Sequence, residues 1–251
     1  MVAAFQLDTG RTAEMEVGSA LFALPKREIH VWKTDFAKPI SSVFDLLDPQ
    51  EQERASRFKV DGARKQFIIS HAFLRLVLER YLGIRPRDLR FRVAAYGKPE
   101  LDAATDLRFN LSHTDGTALL AVTRERRVGV DVERVRENLQ ALELADRFFS
   151  SSEAAWLRAQ PAAQQIPSFF ACWTAKEAYI KAHGNGFFLP LSGFTIIPRG
   201  TDRPLQLEFL DKAQPAAEWT VWQLDLGPNL RGALAAEGRN LRVNLEDWSW
   251  P

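Results

Sequence analysis

The sequence predicts an α+β fold built as two similar halves. Three observations carry this: a long helical pattern occurs twice, each occurrence is followed by short β-rich runs, and Gly, Pro and Asp residues punctuate those runs. The 251 residues suffice for one large domain or two small ones sharing a core. Hydrophobic residues make up 46% and charged residues 26%, with 7 Trp and 17 Phe, far from the composition of a disordered chain.

Taken in order, residues 1–27 read as an N-terminal extension. An N-terminal α+β half spans 28–125 and a C-terminal half 126–251, joined near 124–128. Alternation at His30, Val31 and Trp32 opens the first strand. Asp48 followed by Pro49 reads as an N-cap and first turn of a short helix running through Arg54 toward Phe58. A longer helix starts near Asp61 and ends at Gly83. Phe67, Ile68, Phe73, Leu74, Val77, Leu78, Tyr81 and Leu82 recur on it at helical spacing, with Arg64, Lys65, Arg75 and Arg80 on its other face. The runs LRFRVAAY, LRFNLSH, ALLAVTRE and VGVDVERV then suggest an antiparallel sheet. In the second half, Ser150 and Glu153 form a capping box, and IPSFFACWTAKEAYIKAHG gives a helix closed by Gly184. FTII, LQLEFL, WTVWQLDL and ALAAE supply the last strands. The two halves share no residue-level repeat.

Composition excludes several function classes. With 33 Lys plus Arg against 32 Asp plus Glu there is no global positive field for nucleic acid, so any anion site is local. A single cysteine, Cys172, forms no disulfide framework, and no Cys/His spacing suggests structural zinc. Asp8, Arg11, Glu14 and Glu16 interrupt the apolar residues of the N-terminus, and no stretch reaches a membrane span. The expectation is a soluble, cytoplasmic protein without membrane or nucleic-acid partners.

Chemistry concentrates in four segments. Asp131 and Glu133 are two apart on a strand, so both carboxylates leave the same face and need a cation; an isolated pair of this kind is more often an edge strand with solvated charges. Trp173, Glu177 and Lys181 follow one another at four-residue spacing along one helix stripe, a pattern shared with surface ion pairs. Brought to Asp131 and Glu133, Glu177 would complete a set of hard oxygen donors of the kind Mg²⁺ prefers, with Mn²⁺ as an alternative. Gly97 and Pro99 fix a turn that projects Lys98 toward an anion, and Asn110, Ser112 and His113 offer hydrogen-bonding groups at a strand end. Ser112 and His113 are not a nucleophile and its base, because adjacent strand residues face opposite ways and no G-x-S-x-G elbow is present. His30, His71 and His183 lack metal spacing.

The succession GKP, FNLSH, GVDVE and W-x-x-KE-x-x-x-K-x-x-G resembles the surfactin-type (Sfp-type) 4′-phosphopantetheinyl transferases, from about His30 to at least Gly193. The family's short trimeric synthases are about half this length and match poorly. The resemblance implies a monomer of two pseudosymmetric α+β halves, with coenzyme A and Mg²⁺ in the cleft between them. It implies Asp131, Glu133 and Glu177 as metal ligands and Glu177 and Lys181 as catalytic residues, Lys181 contacting phosphate. Lys98, Ser112 and His113 become ligands of the coenzyme A phosphates, and Arg54 a contact of the 3′-phosphate. Either Arg64 or Lys65 supplies a further basic position. The implied reaction moves 4′-phosphopantetheine to a serine of an acyl or peptidyl carrier protein, with Glu177 as base directly or through water. The carrier surface is expected to be apolar with a basic rim, with Phe148, Phe149, Phe187 and Phe188 as candidates. A coenzyme A binding protein without transferase activity is the competing class, and the sequence does not choose among carrier pathways.

Overall fold

The computed structural model describes residues 21–94, 97–184, 189–199, 204–210 and 218–251. Phe187, Phe188 and residues 1–20 of the N-terminal extension lie outside these, as do Ala95 and Tyr96.

Four layers are stacked, helix on sheet on sheet on helix. The first sheet has the order β11-β1-β5-β4, from β1 (Glu28–Asp35), β4 (Leu107–Thr114), β5 (Thr117–Arg124) and β11 (Arg242–Asp247). The second has the order β6-β10-β9, from β6 (Val128–Arg134), β9 (Trp219–Leu224) and β10 (Leu230–Glu237). Two small ribbons complete the strands: β2 (Phe91–Val93) with β3 (Pro99–Leu101), and β7 (Phe194–Ile196) with β8 (Leu207–Phe209). Among the described residues of the run LRFRVAAY, then, Phe91–Val93 forms a strand. Of the four runs expected to form one antiparallel sheet, LRFNLSH and ALLAVTRE pair as β4 and β5, whereas VGVDVERV joins the second sheet as β6 and β2 lies in a ribbon; β11, in a segment that sequence order places in the C-terminal half, returns to lie parallel to β1.

Strand alternation explains the layering. Ala118, Leu120 and Val122 of β5 face α2 (Asp61–Leu82), whose Phe73, Val77 and Leu78 are fully buried against them. Leu119 and Ala121 face the other way and pack on Val130, Leu234 and Ala236 of the second sheet. Ala233 and Ala235 then meet α5 (Ala162–His183) through Ala175, Ala178 and Ala182. β5 is buried on both faces, which is why its sequence is an unbroken apolar run.

The helices follow their local signals. Asp48 and Glu51 form a capping box on α1 (Pro49–Ser56), and Ser150 and Glu153 form one on α4 (Ser151–Arg158). α2 and α5, each 22 residues, end in left-handed Gly83 and Gly184. α5 begins four residues before the expected Ile166 and carries Pro167 as its sixth residue, where the ring removes one N–H from the helical ladder. α3 (Ala141–Phe148) has no counterpart in the sequence-based assignment. Arg75, assigned to a basic outer face of α2, is fully buried instead. Asp48 and Glu51 draw it inward.

One contact fixes α5 on β6. A Cβ at Gly129 would lie 2.2 Å from the Ala178 carbonyl oxygen and 2.3 Å from the Ala182 nitrogen, so helix and strand backbones touch there with no room for a side chain. Gly129→Ala must push α5 off the sheet. We expect it to cost about 3 kcal/mol or more, read as a fall in Tm of roughly 6–12 °C; a Tm within about 2 °C of wild type would contradict the constraint.

Candidate functional site

β4 and β6 run side by side at the seam between the two sheets, joined by side chains rather than by a backbone ladder. Asn110 Oδ1 accepts the Val130 N–H at 2.8 Å, and Thr114 Oγ1 accepts the Arg134 N–H at 3.3 Å. Between them Ser112 Oγ donates to Asp131 Oδ1 at 2.9 Å. Asn110, Ser112 and Thr114 alternate along β4, so all three reach the same neighbour. β6 has a laddered partner on one edge only, yet Asp131 is 6% exposed, which removes the solvated-edge interpretation.

Above this seam lies α5. Lys181 Nζ donates to Asp131 Oδ1 at 2.6 Å and to Ser112 Oγ at 3.0 Å. Glu177, one turn earlier, is half-buried and feels the charges of Asp131 and Glu133. Burial raises the Glu177 carboxyl above the usual carboxylate range, and those two like charges add to the shift against the pull of Lys181. Glu133 is raised in the same way, by burial first and then by Asp131, while Arg136 at 3.6 Å pulls it down. Three acids and one lysine from β6 and α5 thus crowd one point.

That crowding suits a hard cation. Asp131 Oδ2 is buried without a hydrogen-bond partner among the described residues, although a buried carboxylate oxygen ordinarily has one. Among the described residues no three acidic, histidine or cysteine side chains already stand at the spacing of a closed metal site, and the Lys181 ammonium holds the other Asp131 oxygen. The donors fit: an orphaned buried oxygen and two carboxyls whose charge needs neutralising.

Lys181 is shared by two cavities. One, of about 530 Å³, is mainly apolar and is lined by Phe148, Trp173, Glu177, Ile180, Leu189 and Leu191 among others. Phe148 therefore contributes to a cavity wall, whereas Phe149 is buried, stacked on Phe169 at 5.0 Å. The second cavity, of about 410 Å³, is lined by Lys181, Ser112, His113, His71 and Arg54 among others. His113 Nδ1 lies 2.6 Å from Gln66 Nε2. Its ring is exposed by area, but nearby protein atoms lower its pKa, with a smaller push from Lys181 and His71. Arg54, exposed on α1, lies over the Phe67 ring at 5.0 Å. Arg64 and Lys65 border a separate hollow with Ile40 and Phe44.

Lys98 differs from expectation. Rather than projecting from its turn, it points inward and donates to the carbonyl oxygens of Val128 at 2.8 Å and Lys181 at 2.9 Å. It thereby ties the start of β6 to the end of α5. Burial pulls its pKa down to about 8, so it still carries its charge at neutral pH.

Sequence reasoning missed Lys176. It is fully buried under α5 and donates to both Glu153 oxygens at 2.6 and 2.7 Å and to the Phe194 carbonyl at 2.6 Å. Glu153 also accepts from Ile196 N–H at 2.7 Å and Ser150 N–H at 2.8 Å, so its capping role is only part of its function. The signal was present in Lys176 standing beside Glu177. Adjacent helix positions face about 100° apart, so with Glu177 on the Trp173–Lys181 stripe Lys176 lies off it.

Comparison with known proteins points one way. A family model described as the 4′-phosphopantetheinyl transferase superfamily matches residues 127–236, and one described as 4′-phosphopantetheinyl transferase, N-terminal, matches residues 30–125. The chain is 36% identical over 217 residues to the 4′-phosphopantetheinyl transferase HetI of Nostoc sp., covering 84% of this chain and 88% of that protein. It is 36% identical over 129 residues to the transferase gsp of Aneurinibacillus migulanus, covering 51% and 52% of the two chains. It is 31% identical over 151 residues to the transferase Sfp of Bacillus subtilis, covering 60% and 66%.

The buried Lys176–Glu153 pair makes a stability prediction. Lys176→Met or Glu153→Gln strands a buried partner and should each cost about 3–5 kcal/mol, whereas the double replacement by apolar residues should recover much of the loss. Denaturant melts of the singles and the double check this. Additive losses would contradict the pairing.

Proposed function

The chain belongs to the 4′-phosphopantetheinyl transferase superfamily, and from that premise we propose that it transfers 4′-phosphopantetheine from coenzyme A to a serine of an acyl or peptidyl carrier protein, releasing adenosine 3′,5′-bisphosphate. The observation that carries the proposal is Lys181, which is shared by an apolar and a cationic cavity, bonded to Asp131 and within electrostatic reach of Glu177 and Glu133. A donor with an uncharged arm and a phosphorylated nucleotide needs two such surfaces meeting at the reacting phosphorus.

Asp131, Glu133 and Glu177 would hold Mg²⁺, which when bound neutralises pyrophosphate charge and polarises the reacting phosphoryl group. The serine hydroxyl attacks the phosphorus that bears pantetheine, its proton passes to Glu177 directly or through a water, and the P–O bond to the nucleotide phosphate breaks. Burial raises the Glu177 carboxyl above the ordinary carboxylate range, the direction that makes a carboxylate a better proton acceptor. Lys181 and His113 stabilise charge on the leaving side, and Ser112 holds Lys181 in place. Lys98 contributes its third N–H and its charge while its other bonds fix the seam. The carrier approaches from the apolar cavity beside Phe148 and Trp173.

The test is direct. Incubation with an apo carrier protein, coenzyme A and Mg²⁺ should add the phosphopantetheine mass to the carrier, and an unchanged carrier mass would contradict the function. Glu177→Gln should lower turnover by about 10²–10⁴-fold with an unchanged fold, as loss of a general base does; wild-type turnover in that variant would remove Glu177 from the chemistry. In a separate measurement without substrate, Mg²⁺ should raise the Tm of the wild-type protein and leave that of Asp131→Asn unmoved. An equal rise in both would take Asp131 out of the cation site.

A further inference from the structure

Arg75 leads the fully buried side chains by volume, and its bonds explain why it is inside. Nε donates to Glu51 Oε2 and Nη2 to Asp48 Oδ2, both at 2.6 Å, while Nη1 reaches the carbonyls of Pro86 and Leu89 at 2.6 and 3.1 Å. Asp48 and Glu51 are acids of the cationic cavity wall. Arg75 holds both from behind, so neither presents an unpaired charge to an incoming anion.

The other Glu51 oxygen reaches forward. Oε1 lies 2.8 Å from His71 Nδ1. Burial raises the Glu51 carboxyl, but the bonds from His71 and Arg75 outweigh it and leave the group below its ordinary value. An ionised carboxylate only accepts, so Nδ1 carries the proton and donates. Nε2 is the nitrogen left for the cavity. The ring is further fixed by Phe67, at 4.0 Å between centroids, and the same Phe67 carries the Arg54 guanidinium at 5.0 Å. Arg54 has no ion pair among the described residues. A chain of buried groups therefore aims one imidazole nitrogen and one guanidinium at the same end of the cavity.

His71 and Arg54 reach the cavity from α2 and α1, elements other than β6 and α5, which carry the three acids and Lys181. A coenzyme A donor carries two anionic groups, the pyrophosphate at the reacting centre and the ribose 3′-phosphate at the leaving end. Resting on the function proposed above, we propose that His71, oriented by Glu51 and backed by Arg75, is a specificity-determining contact that with Arg54 reads the 3′-phosphate of coenzyme A. His71 thereby links the Glu51 carboxylate, held at Nδ1, to the phosphate at its other nitrogen.

The experiment compares coenzyme A with 3′-dephospho-coenzyme A on wild type, His71→Ala and His71→Asn, by steady-state transfer and by calorimetric binding. His71→Ala should weaken coenzyme A roughly 10- to 100-fold, the size of a lost charge-assisted hydrogen bond. The loss should appear in KM with kcat preserved, and 3′-dephospho-coenzyme A should be unaffected. His71→Asn keeps an N–H for Glu51 but no cationic nitrogen, and should lose the same discrimination while retaining the wild-type melting temperature more closely. Equal loss for both donors, loss for neither, or wild-type discrimination in His71→Asn would overturn the assignment. If wild type binds both donors without transferring, the function proposed above fails while the calorimetric comparison still decides the role of His71. If it binds neither, both fail.

Discussion

The candidate site depends on the absence of a side chain at Gly129. Because a Cβ there would sit 2.2 Å from a helix carbonyl oxygen, α5 rests backbone to backbone on β6. Two residues along the strand, Asp131 comes under Lys181, with Ser112 reaching in from β4. Lys98 binds the carbonyls of Val128 and Lys181 at the same junction, and Lys176 anchors α5 to Glu153 and to the Phe194 carbonyl from below. The acids are close because the backbones are close. Three cationic or polar clamps keep them so.

Gathering like charges in a half-buried seam costs free energy, and the structure offsets only part of it. Lys181 answers one Asp131 oxygen and Arg136 stands off Glu133, but the second Asp131 oxygen has no partner among the described residues and two carboxyls are pushed upward. A protein selected only for stability would not keep this arrangement, whereas a site that takes up a cation and a polyphosphate would. The flanking cavities divide the work. Burial of aromatic and aliphatic walls suits the uncharged arm and the carrier, while the cavity with Arg54, His71 and His113 suits the nucleotide phosphates.

Much of this was legible in the sequence, for identifiable reasons. The caps at Asp48 and Ser150, the glycine stops at Gly83 and Gly184, and the apolar periodicity of α2 are local signals, and they appear where expected. The grouping of Asp131, Glu133 and Glu177 was readable only from motif order, since neither a D-x-E strand nor an i, i+4 helix pair is specific. Long-range consequences were not legible. Arg75 has the helical spacing of a surface arginine and is interior only because α1 folds two carboxylates over it. Lys98 sits in a turn that reads as exposed, yet its ammonium finds two carbonyls from elements 30 and 83 residues away in sequence. The return of β11 to β1 likewise has no local signature, because pairing between the ends of a chain leaves no mark on either strand alone.

The central claim is that Asp131, Glu133 and Glu177 act as one cation site, and a crystal of the protein grown with Mn²⁺ and coenzyme A tests it most directly. An anomalous peak is expected within ligating distance of Asp131 Oδ2, at about 2.0–2.2 Å, with carboxylate oxygens of Glu133 and Glu177 turned toward it directly or through water. A peak elsewhere in the cleft, or coenzyme A bound with Lys181 still on Asp131 and no metal between the acids, would contradict it.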